Sequence, residues 1–238
     1  MPRFFVNEKP SGVFSLTGED GRHAAASLRL RAGEAVTLCD GHGCDYDCVC
    51  TGVSAGEVQL KVVGARPSVG EPPCAVTLFQ CLPKGDKMDE IVQKSVELGA
   101  TRIVPVLSQR CISRPEGAAL KKKTARWNQI AREAAMQSGR GRIPPVDDCA
   151  TFDEALRRMA SFPCPVLLYE GECLRKLSAF DPRGGCALLV GPEGGIAPEE
   201  AAAAQAAGIP AVTLGPRILR TETAGPAAIA IVSFLTGE

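Results

Sequence analysis

LLVGPEGGIAPEE (188–200) is an apolar run that stops at Val190, breaks into a glycine-rich turn and restarts as a helix. The helix, PEEAAAAQAAG (198–208), has Pro198 in its first turn, two early acids that suit a helix N-terminus, and Gly208 as its stop. A buried strand feeding a helix through a glycine turn is the repeating unit of an open α/β sheet. Such sheets bind ligands beyond the carboxyl ends of their strands. Gly191, Gly194 and Gly195 lack a Cβ, so backbone amides there can approach a ligand closely. The spacing is neither G-x-x-x-x-G-K-[ST] nor G-x-G-x-x-G, which argues against a triphosphate or a dinucleotide. Glu193 would repel phosphate and suits a ligand with a positive or hydroxyl group.

TLGPRILRTETA (213–224) has the same design: an apolar strand, Gly-Pro, a polar turn, then the last helix. Thr221 or Thr223 is placed to cap that helix, expected from about Thr223 to Leu235. Ile218 and Leu219, between Arg217 and Arg220, can sandwich a flat ring while backbone groups read its edge. Two such loops after two strands of one sheet would lie side by side.

Outward from these loops, strands and helices alternate from Cys74 onward. CAVTLFQC (74–81), RIVPVL (102–107), PVLLYE (165–170), CALLV (186–190) and PAVTLG (210–215) read as strands. Asp86 to Leu98 reads as a helix capped by Asp86 and stopped by Gly99, with Met88, Ile91, Val92, Ser95 and Val96 on one face. A long helix is expected over Gly117–Gln137, with Leu120, Trp127, Ile130 and Ala134 inward. This alternation predicts a mostly parallel sheet covered on both faces. Residues 1–70 differ. Short alternating runs between glycines (EAVTLCDG, YDCVCTG, EVQLKVVG) predict a small β-barrel or sandwich with one helix near His23–Leu30. RPSVGEPP (66–73) reads as the linker to the second domain, 74–238.

The 238 residues carry 27 basic and 27 acidic side chains, which excludes a histone-like polycation and an acidic tail. The balance hides an asymmetry: residues 84–142 hold 13 basic and 6 acidic side chains. A local basic region, rich in arginine, is a footprint for a polyanion such as nucleic acid. No apolar run approaches the roughly 20 residues of a membrane span, and MPRFFVNEKP lacks a signal-peptide core, so a cytoplasmic protein is expected. The eleven cysteines read as thiols. CDGHGCDYDCVC (39–50) has no C-x-x-C pair, and Cys48 and Cys50 alternate as buried residues of one strand face would, so no metal is expected.

The chain resembles the RsmE family of 16S ribosomal RNA uridine N3-methyltransferases, within the SPOUT class of S-adenosylmethionine-dependent enzymes. GPEGG before a helix and LGPRILRTETA carry the resemblance. So do RFFV (3–6), HAAASLRLRAGE (23–34), CDGHG (39–43), KGDKMDEIVQKSVELGATRIVPVLSQR (84–110), RWNQIAREAAMQSGR (126–140) and IPPV (143–146). The resemblance implies an α/β trefoil-knot domain with a mostly parallel sheet, preceded by a small PUA-like β-barrel for RNA. It implies a homodimer acting on 16S ribosomal RNA, within the small ribosomal subunit. It places the cofactor against Leu168, Tyr169, Gly191, Glu193, Gly194, Gly195, Leu214, Gly215, Ile218, Leu219 and Thr221.

The sulfonium methyl is already a strong electrophile, so the chemistry requires no metal. The protein must expose the base, align N3 with the methyl and handle the N3 proton. Negative charge then spreads onto the flanking carbonyls, where an arginine would stabilise it. Arg220 is assigned this task, with Arg110 as second choice; Glu222 either accepts the proton or orients the arginine. Arg3, Arg29, Lys84, Lys87, Lys94, Arg126 and Arg140 are the RNA-contact candidates. The rival readings are a SPOUT-type transfer RNA methyltransferase, a non-catalytic RNA-binding ribosome assembly protein, and a metal or redox protein using the cysteines.

Overall fold

The computed structural model describes residues 1–171 and 175–237. The chain divides into two compact units: Met1–Glu71 with Ala135–Ile143, and Pro72–Ala134 with Pro144–Glu238. The first unit is therefore discontinuous in sequence, where the sequence reading drew two consecutive segments. Gly43 N–H donates to Gly141 O at 3.0 Å, and the Glu71 carboxylate accepts the N–H groups of Gly141 and Arg142 at 2.8 and 3.0 Å. These long-range bonds draw the 135–143 segment into the unit, and nothing local in the sequence announces them.

The first unit is a five-stranded mixed sheet in the order β1 (Arg3–Phe5), β3 (Ala35–Cys39), β4 (Cys44–Ser54), β5 (Glu57–Pro67), β2 (Val13–Leu16). β1 runs parallel to β3 and the other pairs are antiparallel. Register shifts at Asp47/Cys48 and Cys50/Gly52 bend β4 against β5. Cys48 and Cys50 are buried on one face among Phe4, Leu38, Val58 and Leu60, as small hydrophobes. The helix of this unit begins earlier than expected: α1 (Gly18–Arg22) continues as a π-turn over His23–Ser27.

The second unit is a six-stranded, all-parallel sheet. Its order is β11 (Ala211–Val212), β9 (Cys164–Leu168), β10 (Cys186–Val190), β6 (Val76–Cys81), β7 (Arg102–Leu107), β8 (Ala150–Thr151). β6 and β10 are buried at every position, so both faces are covered, which explains their unbroken apolar runs. α2 (Lys87–Glu97) buries the expected five residues, and Gly99 has φ +100 at its end. α3 (Gly117–Gln137) buries Trp127 and Ala134, while Leu120 and Ile130 are half-buried. Trp127 Nε1 donates to Asp89 Oδ1 at 3.1 Å, so Trp127 is core and not a stacking platform. α4 (Phe152–Met159) is a helix beyond those expected, and TFDE (151–154) starts it as a capping box: Glu154 N–H donates to Thr151 Oγ1, and Thr151 N–H to Glu154 Oε2. α5 (Pro198–Ala206) follows β10, and α6 (Thr221–Thr236) packs on α2, β10 and β6.

Among the described residues no helix is long and apolar enough to cross a membrane, and no cluster of three or more His, Cys, Asp or Glu side chains has metal-holding geometry.

Candidate functional site

A cavity of about 1180 Å3 opens at the carboxyl ends of β9, β10 and β11 in the second unit. Three loops wall it: Leu168–Gly171, Val190–Gly195 and Val212–Thr221. The strands that feed the two glycine loops are not neighbours, because β9 lies between β10 and β11, yet the loops themselves meet where Thr221 bonds Gly191. The eleven residues that the family resemblance assigns to the cofactor all line this one cavity.

The glycine turn is shaped by close packing. Gly195 N–H donates to Pro192 O at 2.9 Å, and Gly195 has φ +69, in the left-handed region. A Cβ at Gly195 would fall 1.5 Å from Glu170 Oε1, which accepts the Ile196 N–H at 3.2 Å. A Cβ at Gly191 would lie 3.1 Å from Gly195 C and from Ile196. Arg110 reaches in from behind and donates through Nη1 to Gly194 O at 2.9 Å. Arg110 is not among the residues lining the cavity, and through Nη1 it braces the glycine turn.

Thr221 is the first residue of α6 and not its cap. Arg220 occupies the cap position with extended backbone and no side-chain capping bond. The Thr221 hydroxyl is buried and points into the unit. It donates to Gly191 O at 2.7 Å and accepts from Gln80 Nε2 at 2.9 Å. One side chain thus ties the two glycine loops together. Asp86 likewise makes no capping bond at α2. Glu193 takes the Lys84 N–H, ahead of α2, with both oxygens, at 3.1 and 3.2 Å.

The charged groups at the cavity form a set that charge counting alone does not reveal. Lys87 Nζ lies 3.0 Å from Glu193 Oε1 and 3.2 Å from Glu222 Oε2. Its bond to Glu193, with Glu222 adding, raises the Lys87 pKa above the ordinary value. Burial pushes the Glu193 carboxyl up, but its own backbone N–H, Lys87 and the Lys84 N–H outweigh this and hold it below the usual range. Glu222 is also held low, first by its own backbone N–H, then by Lys87 and Arg220. A carboxylate held this way is a weak proton acceptor, which favours an orienting role for Glu222. Arg220 lines the cavity, and among the described residues its guanidinium has no hydrogen-bond or ion-pair partner.

Other basic candidates separate by exposure. Arg140 is 2% exposed and held by Glu71 through two bonds of 3.0 Å, so it braces the first unit and cannot reach phosphate. Arg3 is clamped to Asp45 at 2.8 and 2.6 Å. Lys94 and Arg126 are exposed and pair with Glu90 and Asp89. Such pairs are weak in water and readily exchanged. Arg29 and Lys84 are exposed. Sequence reasoning missed Glu170 and Gln80, which have no motif of their own, and gave Lys87 to RNA instead of to the cavity.

Residues 70–233 match the family model described as an RNA methyltransferase domain, and residues 16–63 match an RNA methyltransferase PUA domain. The Bacillus subtilis protein named ribosomal RNA small subunit methyltransferase E is 36% identical, over 99% of this chain and 97% of that one. Its Mycobacterium tuberculosis namesake is 37% identical, over 99% and 92%. A crystal structure of the ribosomal RNA small subunit methyltransferase E of Neisseria gonorrhoeae, bound to S-adenosyl methionine, superposes with a TM-score of 0.89. It is 40% identical and covers 99% of this chain and 98% of that one.

Proposed function

The chain belongs to the ribosomal RNA small subunit methyltransferase E family, and from that membership we propose that it transfers the methyl group of S-adenosylmethionine to N3 of one uridine of 16S ribosomal RNA. The observation that carries this reading is the three-loop cavity, in which glycine backbone, apolar walls and an unpartnered arginine meet. The residues present fit the cofactor. Gly191 and Gly195 clear a cradle that a Cβ would fill. Leu168, Leu214, Ile218 and Leu219 provide apolar surface for a flat ring, with loop backbone to read its edge. When bound, S-adenosylmethionine supplies an electrophilic methyl on a positively charged sulfur.

The chain's own residues do the rest. The loops hold the donor in place, and a pocket walled by protein aligns the base with it. Arg220, exposed at the rim and unpartnered among the described residues, neutralises the charge that grows on the uracil carbonyls as N3 gives up its proton to solvent water and becomes nucleophilic. Glu222 stays ionised and orients the basic groups around it. In the second unit, exposed Lys84, Lys94 and Arg126 take RNA phosphate, and Arg29 does so in the first. The same reading makes the protein a homodimer that works on the small ribosomal subunit in the cytoplasm, with its C-terminal domain knotted. Phe234, 79% exposed near the end of α6, supports a partner on that helix.

The test incubates the protein with labelled S-adenosylmethionine and small subunits from a strain lacking the modification, then identifies the labelled nucleoside by mass. N3-methyluridine at one site is the expected result. Bound cofactor with no label in the RNA would overturn the reading in favour of a transfer RNA substrate or an inactive binding protein. Arg220→Ala is expected to lower turnover by about 100-fold or more while leaving cofactor affinity within about twofold, the pattern of a group used only in the transition state.

A further inference from the structure

Arg220 and Glu222 stand two residues apart at the start of α6, near enough for the arginine's charge to act on the acid. They do not pair. Glu222 instead forms an ion pair, without a hydrogen bond, with Lys87, which comes from the first turn of α2 and also holds Glu193 from the glycine turn. One ammonium therefore occupies two carboxylates drawn from two loops. Removing that ammonium would leave Glu222 with Arg220 as the one other cation shown to act on it. The planar guanidinium matches a carboxylate with two parallel bonds. An arginine paired in that way has lost the donors and the free charge that a uracil carbonyl would use.

We propose that Lys87 is a positioning residue: by engaging Glu222 it keeps Arg220 unpaired and turned to the cavity. This rests on the methyl-transfer reading of the same site. Lys87 acts through Arg220 and need not touch the base. Its ammonium is engaged on two sides within the protein, which also distinguishes it from the exposed lysines assigned to phosphate.

The experiment compares the wild type, Lys87→Met and Lys87→Met/Glu222→Gln. Three quantities are read: kcat, the KM for RNA, and the rate at which phenylglyoxal modifies Arg220, followed by peptide mass. Lys87→Met is expected to lower kcat about tenfold or more and to slow Arg220 modification several-fold, because Glu222 now pairs with Arg220. Removing the second acid's charge is expected to restore the modification rate to within about threefold of the wild type and to raise kcat above that of Lys87→Met, short of the wild type because Glu222 itself is lost. A lysine that mattered for folding or for RNA phosphate would give no such rescue. A double variant no better than Lys87→Met, or Arg220 modified equally fast in the wild type and Lys87→Met, overturns the inference. A wild type that transfers no methyl group overturns the reading of the site instead, since the reagent reports the pairing of Arg220 without any turnover.

Discussion

Thr221→Val replaces a buried hydroxyl by a methyl of nearly the same shape. The hydroxyl has one proton, and it goes to Gly191 O at 2.7 Å, so the oxygen must accept from Gln80. That fixes the Gln80 amide: Nε2 donates to Thr221 at 2.9 Å and to Cys81 O at 3.0 Å, while Oε1 lies buried without a donor. Valine deletes the middle of this relay. It strands one N–H of Gln80 and withdraws a partner from the Gly191 carbonyl. Each buried polar group left unsatisfied costs about 1–3 kcal/mol, so the variant should lose about 2–4 kcal/mol. For a protein of this size that lowers Tm by roughly 4–16 °C. Trp127, the only tryptophan, is buried in the second unit and reports its unfolding in urea. Thr221→Ser keeps the relay and drops one methyl, for about 1 kcal/mol. Cofactor binding, measured by calorimetry, should weaken in the valine variant and recover in the serine variant. A valine variant within about 0.5 kcal/mol of the wild type, with serine the worse of the two, would refute the relay argument.

Gly195→Ala should cost about 1–2 kcal/mol, since φ is +69 and the new methyl displaces the Glu170 carboxylate from Ile196 N–H. Calorimetry should show weaker cofactor binding as well. Arg140→Met leaves Glu71 without its buried partner and should destabilise the first unit by about 2–4 kcal/mol, seen as faster amide exchange in β3 and β4. Asp45 gives that unit an acid limit. Burial pushes its carboxyl up, but bonds from Arg3 and Ser68 pull it below the ordinary 3.8. A depressed folded pKa gives stability that is present above the unfolded value and lost as pH falls through the folded one. Exchange protection of β3 and β4 should therefore drop below about pH 4, and Asp45→Asn should remove that dependence.

The features legible in the sequence are those written within about a dozen neighbouring residues. CALLV and VTLFQC read as buried parallel strands because nothing interrupts their apolar runs, and Gly99 and Gly208 stop helices because their backbone must turn left-handed. The glycine loops were legible for the same reason, and the structure gathers them into one cavity. What escaped depends on partners far away in the chain. Arg140 looks like any other arginine of a basic stretch until Glu71 is found against it. Lys87 looks like a phosphate contact until α6 brings Glu222 to it. Thr221 looks like a cap because its type is right, but its hydroxyl is taken by Gln80, 141 positions earlier. TFDE is the exception: its capping box lies within four residues and marks a helix start with no distant partner.

The split composition of the first unit governs the order in which the newborn chain can settle. Its sheet strands are complete by Pro67, yet Gly141, which Gly43 and Glu71 engage, is made much later. At about 5–20 residues per second, the interval from residue 71 to residue 143 is roughly 4–14 s of translation. During that time Glu71 has no Arg140, and the Gly43 turn has no carbonyl to meet. The second sheet waits longer still, because β6 pairs with β10, which leaves the ribosome last among its central strands. A nascent chain halted near residue 75 should therefore hold a loosened, protease-sensitive sheet, while one released past residue 143 should resist cutting. An N-terminal fragment ending in the 66–73 linker would inherit the same defect permanently.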